Sequence, residues 1–318
     1  MPTRLLALAL AAATFAAPLV AQRRPAPARR VAPLVVSDAW LAARLGRDTT
    51  LVLLHVGQSR GEYDAGHVRG ARWLALDDYA PANRADTLER ELPTPEAFRA
   101  LVEPLGVADG RHVVVIGQPL PAARFAFTMA AMGREAMVSV LDGGIDAWRE
   151  RGRPLEREAA PAPDSARRGT LTLAPQPALV ATTADVRALA ERAPVPARRR
   201  VASTVIADAR AAEFYQGTSP GGLPRSGHVP GAVNVPLPSL SGAAGTLRDT
   251  AAMRARFRAA GIAPRDTVVT YCFVGMQGSL LWLQARRLGH PARLYDASFT
   301  AWSRDRGLPV ATGPAPRP

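Results

Sequence analysis

Short apolar runs rich in β-branched residues recur along the chain, alternating with segments whose apolar residues are spaced three or four apart. "HVVVI" (112–116), "STVIADAR" (203–210), "RDTVVTYC" (265–272) and "ARLYDA" (292–297) are of the first kind and predict strands. "TADVRALAER" (183–192) and "GSLLWLQARRLG" (278–289) are of the second kind and predict helices. In the latter, Leu280, Leu281, Leu283 and Leu288 share an apolar side with arginines on the other face, and Gly289 is a stop signal. Strands alternating with helices specify an α/β fold, with a central, mainly parallel sheet covered by helices on both faces. In such sheets chemistry gathers at the carboxyl ends of strands, in the loops that lead into helices.

The pattern occurs twice. "GHVRGA" begins at Gly66 and "GHVPGA" at Gly227, 161 residues later; "LDGGIDAW" ends at Trp148 and "YDASFTAW" at Trp302, 154 residues later. Each copy has its own β-branched run between these anchors and closes on similar text, "RGRPLE" and "RGLPVA". Two copies of one domain in tandem are therefore expected, at 34–157 and 180–312. The Pro/Ala-rich stretch 158–179 reads as the linker between them, and 313–318 as a tail.

Composition changes this picture at the ends and at one residue. The first residues, "MPTRLLALALAAATFAAPLVAQ", carry one early arginine, an apolar run and small residues near Ala21. That is the pattern of a removable leader over 1–21, followed by a Pro/Arg-rich stretch at 22–33. The apolar run is short for a membrane span and no cysteine follows it for lipid attachment, so no stable membrane anchor is expected once the leader is removed. The mature protein is expected to be periplasmic or secreted.

The net charge is +13, carried by arginine with no lysine in the chain. The arginines are scattered and not interleaved with an aromatic platform, so no nucleic-acid partner is expected. Schiff-base chemistry needs a lysine and is excluded. The five histidines and one cysteine show no ligand spacing, so neither a metal nor any other cofactor is expected.

Cys272 is the only cysteine, so no internal disulfide can form, and an odd cysteine in an exported chain marks a reactive thiol. It lies in "YCFVGMQGS" (271–279), between a predicted strand and a predicted helix, where unpaired backbone N–H groups and the positive end of the helix dipole converge. A short loop with Gly275 and Gly278 can turn successive N–H groups inward and cradle a thiolate, a persulfide or an oxyanion. A buried, inert cysteine at a strand end is the alternative. A cysteine-based phosphatase would want an arginine six residues after its cysteine, and Gly278 holds that position.

Taken together, "DAR" (208–210) with "EF" (213–214), "SGHVPGAVNVP" from Ser226, "YC" with its loop, and "LYDASFTAW" resemble the tandem-domain rhodanese sulfurtransferases. In the first copy "EYDAGHVRGARWLALDDY", "LPAARFAF" and "VLDGGIDAWRERGRPLE" resemble that family's N-terminal domain. The resemblance implies two rhodanese-like α/β domains. It implies transfer of sulfane sulfur from thiosulfate or 3-mercaptopyruvate, through a Cys272 persulfide, to cyanide or a thiol.

The family's loop backbone falls on Phe273, Val274, Gly275, Met276 and Gln277. Gly117 takes the cysteine's place in the first copy, which becomes a structural, cleft-forming partner. Members that use thiosulfate have basic residues directly after the cysteine, where this chain has Phe273 and Val274. Arg225 and Arg210 are then the candidates to hold a small anionic donor. A non-enzymatic sulfur carrier or binding module is the rival reading. His67 and His228, in a "GHV" turn present in both copies, are read as structural. Asp142 and Asp296 are read as pinning the last strand, and His55 stands where an aspartate is expected.

Overall fold

The computed structural model describes residues 33–81, 88–161, 169–192 and 203–314. The leader expected at 1–21 and, apart from Pro33, the stretch 22–33 lie outside the described residues. The first half runs β1 (Val35–Val36), α1 (Asp38–Ala42), β2 (Leu51–Gly57), α2 (Arg60–Asp64), β3 (Arg72–Ala75), α3 (Leu76–Tyr79), α4 (Pro95–Val102), β4 (His112–Gly117), α5 (Pro119–Ala131), β5 (Val138–Leu141) and α6 (Gly144–Glu150). The second half runs α7 (Thr183–Ala190), β6 (Thr204–Asp208), α8 (Ala212–Gln216), β7 (Val233–Asn234), α9 (Thr250–Ala259), β8 (Thr267–Tyr271), α10 (Met276–Arg287), β9 (Ala292–Leu294) and α11 (Ser298–Arg304).

Each half builds one sheet, ordered β1-β5-β4-β2-β3 and β7-β6-β8-β9, and every pairing is parallel. The second sheet's equivalent of β1 is a single parallel bridge from Val180 to Leu294. Strand residues divide by parity between two apolar layers, as the pleat requires. Val113 and Val115 face the central core, whereas Val114 and Ile116 face an outer cluster with Leu41, Ile145 and Trp148. In the second half Ile206, Val269 and Tyr271 pack outward with Val186, Phe299 and Trp302. Helices therefore cover both faces of each sheet.

The central cluster contains residues of both halves, because α5 and α10 pack against each other between the sheets. Phe127 meets Trp282 edge to face, with ring centroids 5.1 Å apart. This explains why α10 is buried nearly all round, from Met276 to Ala285 apart from Gln277, where its sequence pattern predicts a helix with one polar face. Arg286 leaves that core to form a bidentate pair with Glu135 of the first half, both bonds 2.8 Å. The predicted linker is not loose where it is described. Leu171 is fully buried, its N–H donating to Glu103 (2.8 Å), and Ala174 and Gln176 donate to the carbonyls of Met132 and Ala131.

The duplicated aspartates cross between the halves. Asp142, just past β5, accepts the N–H of Leu247 at 2.7 Å, while Asp296, just past β9, accepts that of Leu92 at 3.1 Å. Asp142 and Asp296 thus pin the opposite half, where the sequence reading had each pin its own last strand.

Register fixes the equivalence of the two copies. His55 pairs with Trp73 and Ile116, as Asp208 pairs with Asn234 and Tyr271. His55 is fully buried among Tyr63 and Trp73, and among the described residues neither ring nitrogen has a hydrogen-bond partner. Burial, reinforced by the charges of His67 and Arg149, holds its pKa down to about 4. The unfolded chain takes up this proton near pH 6.5, so stability should fall as pH drops from 6.5 towards 4. The loss should reach about 3 kcal/mol at most, and His55→Leu should flatten that part of the curve. Urea denaturation across this pH range checks it; an unchanged slope in the variant would count against the assignment.

Candidate active site

Cys272 follows the last residue of β8, and Gly275, with φ +82°, turns the chain into α10. The side chain is 1% exposed. Gly278 lets the first turn of the helix close on the strand: a Cβ there would stand 2.8 Å from Leu294 Cδ1 and 3.2 Å from Tyr271 Cα. The backbone N–H groups of Gly278, Val274 and Gln277 act on the thiol from this junction. Burial pushes the Cys272 thiol above its ordinary value, and these three donors pull it back without overcoming the burial. The loop is thus built to receive negative charge at sulfur, but the resting thiol keeps its proton more firmly than an exposed one.

A strap from the start of α11 holds the loop's outer side. The N–H groups of Phe299 and Thr300 donate to the carbonyls of Cys272 (2.9 Å) and Phe273 (3.1 Å). Ser298, a buried non-glycine residue at φ +54°, accepts the N–H groups of Cys272 (3.2 Å) and Gly275 (3.0 Å) on its Oγ and donates to the Tyr295 carbonyl (2.9 Å). The N–H and hydroxyl of Ser279 both reach the Gly275 carbonyl at 2.8 Å. With these carbonyls occupied, the loop has one face strapped and the other turned to the sulfur.

The residues predicted around Cys272 divide into two groups. Phe273, Val274, Gly275, Met276 and Gln277 form the loop and the first turn of α10, with Met276 buried and Gln277 Oε1 buried without a partner. The Phe273 ring packs edge to face on Phe214, centroids 5.0 Å apart, and lies 5.3 Å from the Arg210 guanidinium.

Arg210 itself is buried, paired bidentately with Asp208 (Nη2 to Oδ2 2.6 Å), donating to the Gly227 carbonyl and lying 3.9 Å over the Phe299 ring. Burial works against its charge, but the Asp208 carboxylate outweighs that and holds the guanidinium above its ordinary range. Arg210 therefore borders the loop with its Nε and Nη2 edge spent on Asp208.

Arg225 is a correction. Its guanidinium donates to the carbonyls of Trp302 (2.7 Å), Ser303 (2.8 Å), Leu308 (2.6 Å) and Asp305. Carbonyls left open at the end of α11, together with the negative end of the helix, attract a cation there. This arginine closes the end of a helix, its donors given to main-chain carbonyls.

His67 and His228 stack on Tyr63 and Tyr215, each with centroids 3.7 Å apart, and contact the carbonyls of those same tyrosines. Both belong to the turn. Arg124 and Ser298 were not singled out by sequence reasoning. The signal for Ser298 was present: it replaces the second glycine of the "GG" in the first copy, Gly144, which shares its positive φ.

Comparisons with known proteins identify the family and the fold. The model of the rhodanese-like domain matches residues 37–151 and 192–305. A thiosulfate/3-mercaptopyruvate sulfurtransferase of Arabidopsis thaliana is 30% identical, over 87% of this chain and 77% of its own length. The sulfur carrier protein TtuD of Thermus thermophilus is 27% identical, over 88% and 97%. The 3-mercaptopyruvate sulfurtransferase of Escherichia coli is 29% identical, over 78% and 84%. Among solved structures, the anaerobic ergothioneine biosynthesis enzyme of Chlorobium limicola superposes with a TM-score of 0.75 at 21% identity, over 88% of this chain and 70% of that one.

The reassignment of Arg225 has a direct consequence. Arg225→Ala should cost roughly 2 kcal/mol, read as a melting temperature several degrees lower, because charged donors to four carbonyls are lost. The apparent KM of an anionic donor should stay within about twofold. A large rise in KM without loss of stability would return Arg225 to the site.

Proposed function

Since the chain belongs to the family of rhodanese-like proteins, with two such domains in tandem, we propose that it transfers sulfane sulfur through a persulfide on Cys272. Sulfur transfer is the activity of its named relatives, the thiosulfate and 3-mercaptopyruvate sulfurtransferases. The observation that carries the proposal for this chain is the place of Cys272, buried directly between the end of β8 and the turn at Gly275 that opens α10, where the backbone N–H groups of Gly278, Val274 and Gln277 act to lower its thiol pKa.

In the first half-reaction the Cys272 thiolate attacks the outer sulfur of thiosulfate. The donor's S–S bond breaks, sulfite leaves with the electron pair, and Cys272 carries the persulfide. With 3-mercaptopyruvate the C–S bond breaks instead, and pyruvate leaves once its carbon takes a proton. In the second half-reaction cyanide or a thiolate attacks the outer sulfur and returns the Cys272 thiolate. The loop N–H groups hold the charge that resides on sulfur at each stage, and being preorganised in a dry site they need no rearrangement to do so.

Phe273 and Val274 add no charge, so donor recognition falls to main-chain groups of the loop. The leader reading extends this to an exported enzyme working on small sulfur anions outside the cytoplasm. Periplasmic extracts of a bacterial host making the full chain should yield a protein whose first residue lies near Gln22; an intact leader on all of it would overturn export.

Purified protein given thiosulfate or 3-mercaptopyruvate should gain the mass of one sulfur atom and, with cyanide, turn over to thiocyanate. Cys272→Ser should abolish both. A similarity to a sulfur carrier favours one alternative, in which the sulfur is gained but released only to a protein acceptor. No sulfur gain with either donor would sink both readings.

A further inference from the structure

The first half contributes a buried cation to the second half's loop. Arg124, on α5, is fully buried. Its Nη1 donates to Asp296 Oδ1 at 2.5 Å, its Nη2 to Asp296 Oδ2 at 3.2 Å and also to the Arg90 carbonyl. The two partners lie 172 residues apart in the chain.

This pair is in direct contact with the cysteine loop. A Cβ on Gly275 would stand 2.7 Å from Asp296 Oδ1 and 3.2 Å from Arg124 Nη1, so the loop's turning residue rests on the ion pair with no room for a side chain. Two residues beyond Asp296, Ser298 accepts the N–H groups of Cys272 and Gly275. The Arg124–Asp296 pair therefore supports the loop by two routes: beneath Gly275, and through the backbone that presents Ser298 Oγ.

The duplication supplies an internal control. Asp142 is the counterpart of Asp296 and likewise crosses to an N–H of the other half. The position of Arg124 is taken on α10 by Ser279, although Arg287 of the same helix lies close enough for its charge to act on Asp142. Farther along α10, Arg286 is paired with Glu135, and Arg287 is directed to the Arg248 carbonyl and Gln284 Oε1. Among the described residues, Asp142 accepts one hydrogen bond and has the Arg287 charge near it, whereas Asp296 is gripped by a buried guanidinium fork as well as its hydrogen bond.

On the reading of Cys272 as the sulfur-transfer residue, on which this inference rests, the structure assigns to Arg124 of the cysteine-free half the part of positioning residue for the Cys272 loop, acting through Asp296, Gly275 and Ser298.

Neutralising Arg124 alone would leave Asp296 as an uncompensated buried charge, so the test uses Arg124→Met combined with Asp296→Asn, in which the asparagine Oδ1 still accepts the Leu92 N–H. Arg124→Lys, which keeps the charge and loses the fork, is the second variant. Two readouts are needed. The pH profile of Cys272 alkylation by iodoacetamide reports the loop without any sulfur donor, and steady-state sulfur transfer reports turnover.

The double variant should fold, show an alkylation profile displaced to higher pH, and lose roughly tenfold to a hundredfold in kcat with a smaller change in donor KM. Arg124→Lys should fall between it and the unaltered protein. A folded double variant with unaltered alkylation and turnover would overturn the assignment. So would failure of both variants to fold, since the pair would then be a support of the whole fold. If the unaltered protein takes up no sulfur, the reading of its function fails, while the alkylation profiles still decide whether Arg124 shapes the loop.

Discussion

Helix α5 of the first half packs on α10 of the second, and the geometry at Cys272 depends on that contact. Helix α10 begins directly after the loop, so whatever fixes the helix fixes the path of residues 272–275. Because α5 lies on its far side and β8 and β9 on its near side, α10 is enclosed along nearly its whole length. An enclosed helix start has N–H groups that water cannot satisfy. Here three of the N–H groups in this stretch act to lower the pKa of the Cys272 thiol. The shared core between the halves is therefore what turns a strand–loop–helix junction into an anion cradle.

The same enclosure sets a cost. It removes Cys272 from water and raises its thiol pKa, so the thiolate must be obtained against burial. Among the described residues, the arginines considered for the loop are all engaged by other groups. Arg210 is neutralised by Asp208, Arg225 closes the end of α11, and Arg124 is bound to Asp296. Each of these guanidiniums is spent on structure near the site. Negative charge arriving with a donor is left to main-chain dipoles, whose hold is strengthened by the low dielectric that disfavours the bare thiolate. A loop of this kind should be more selective about when it is charged than one flanked by mobile basic side chains.

Much of this was legible in the sequence, and for definable reasons. The tandem repeat, the parallel α/β architecture and the equivalence of Gly117 with Cys272 follow from local text and strand pattern, and the paired registers of the two sheets agree with them. The loop residues 273–277 are adjacent in sequence to their sulfur, so they too could be read. Arg225 was misread because an arginine beside a conspicuous motif looks like a ligand hook, whereas its partners lie 77 to 83 residues away on carbonyls that no sequence displays. Arg124 was hidden for the converse reason: it sits in an apolar helix of the half without a thiol, and its partner appears only when the halves are docked. Burial of α10 on all sides was missed because periodicity reports one covered face and cannot count a second partner.

The divergence of the two copies now has a physical sense. In the second half Asp208 and Arg210 form a buried pair beside the loop. In the first, His55 and Gly57 stand at those two positions, and the Trp73 ring approaches to 3.1 Å of where a Gly57 side chain would begin. A polar pair has been exchanged for an aromatic packing unit, which costs the fold a buried imidazole with two unpaired nitrogens but no longer requires charges to be matched. Over the same divergence the first half carries a cation at Arg124 that serves the other half's aspartate. The two copies thus differ at the positions around Gly117 and Cys272, and a helix of the first half carries the arginine that pairs with the second half's aspartate. That arrangement places a residue of the cysteine-free half within 3.2 Å of where a side chain on Gly275 would begin.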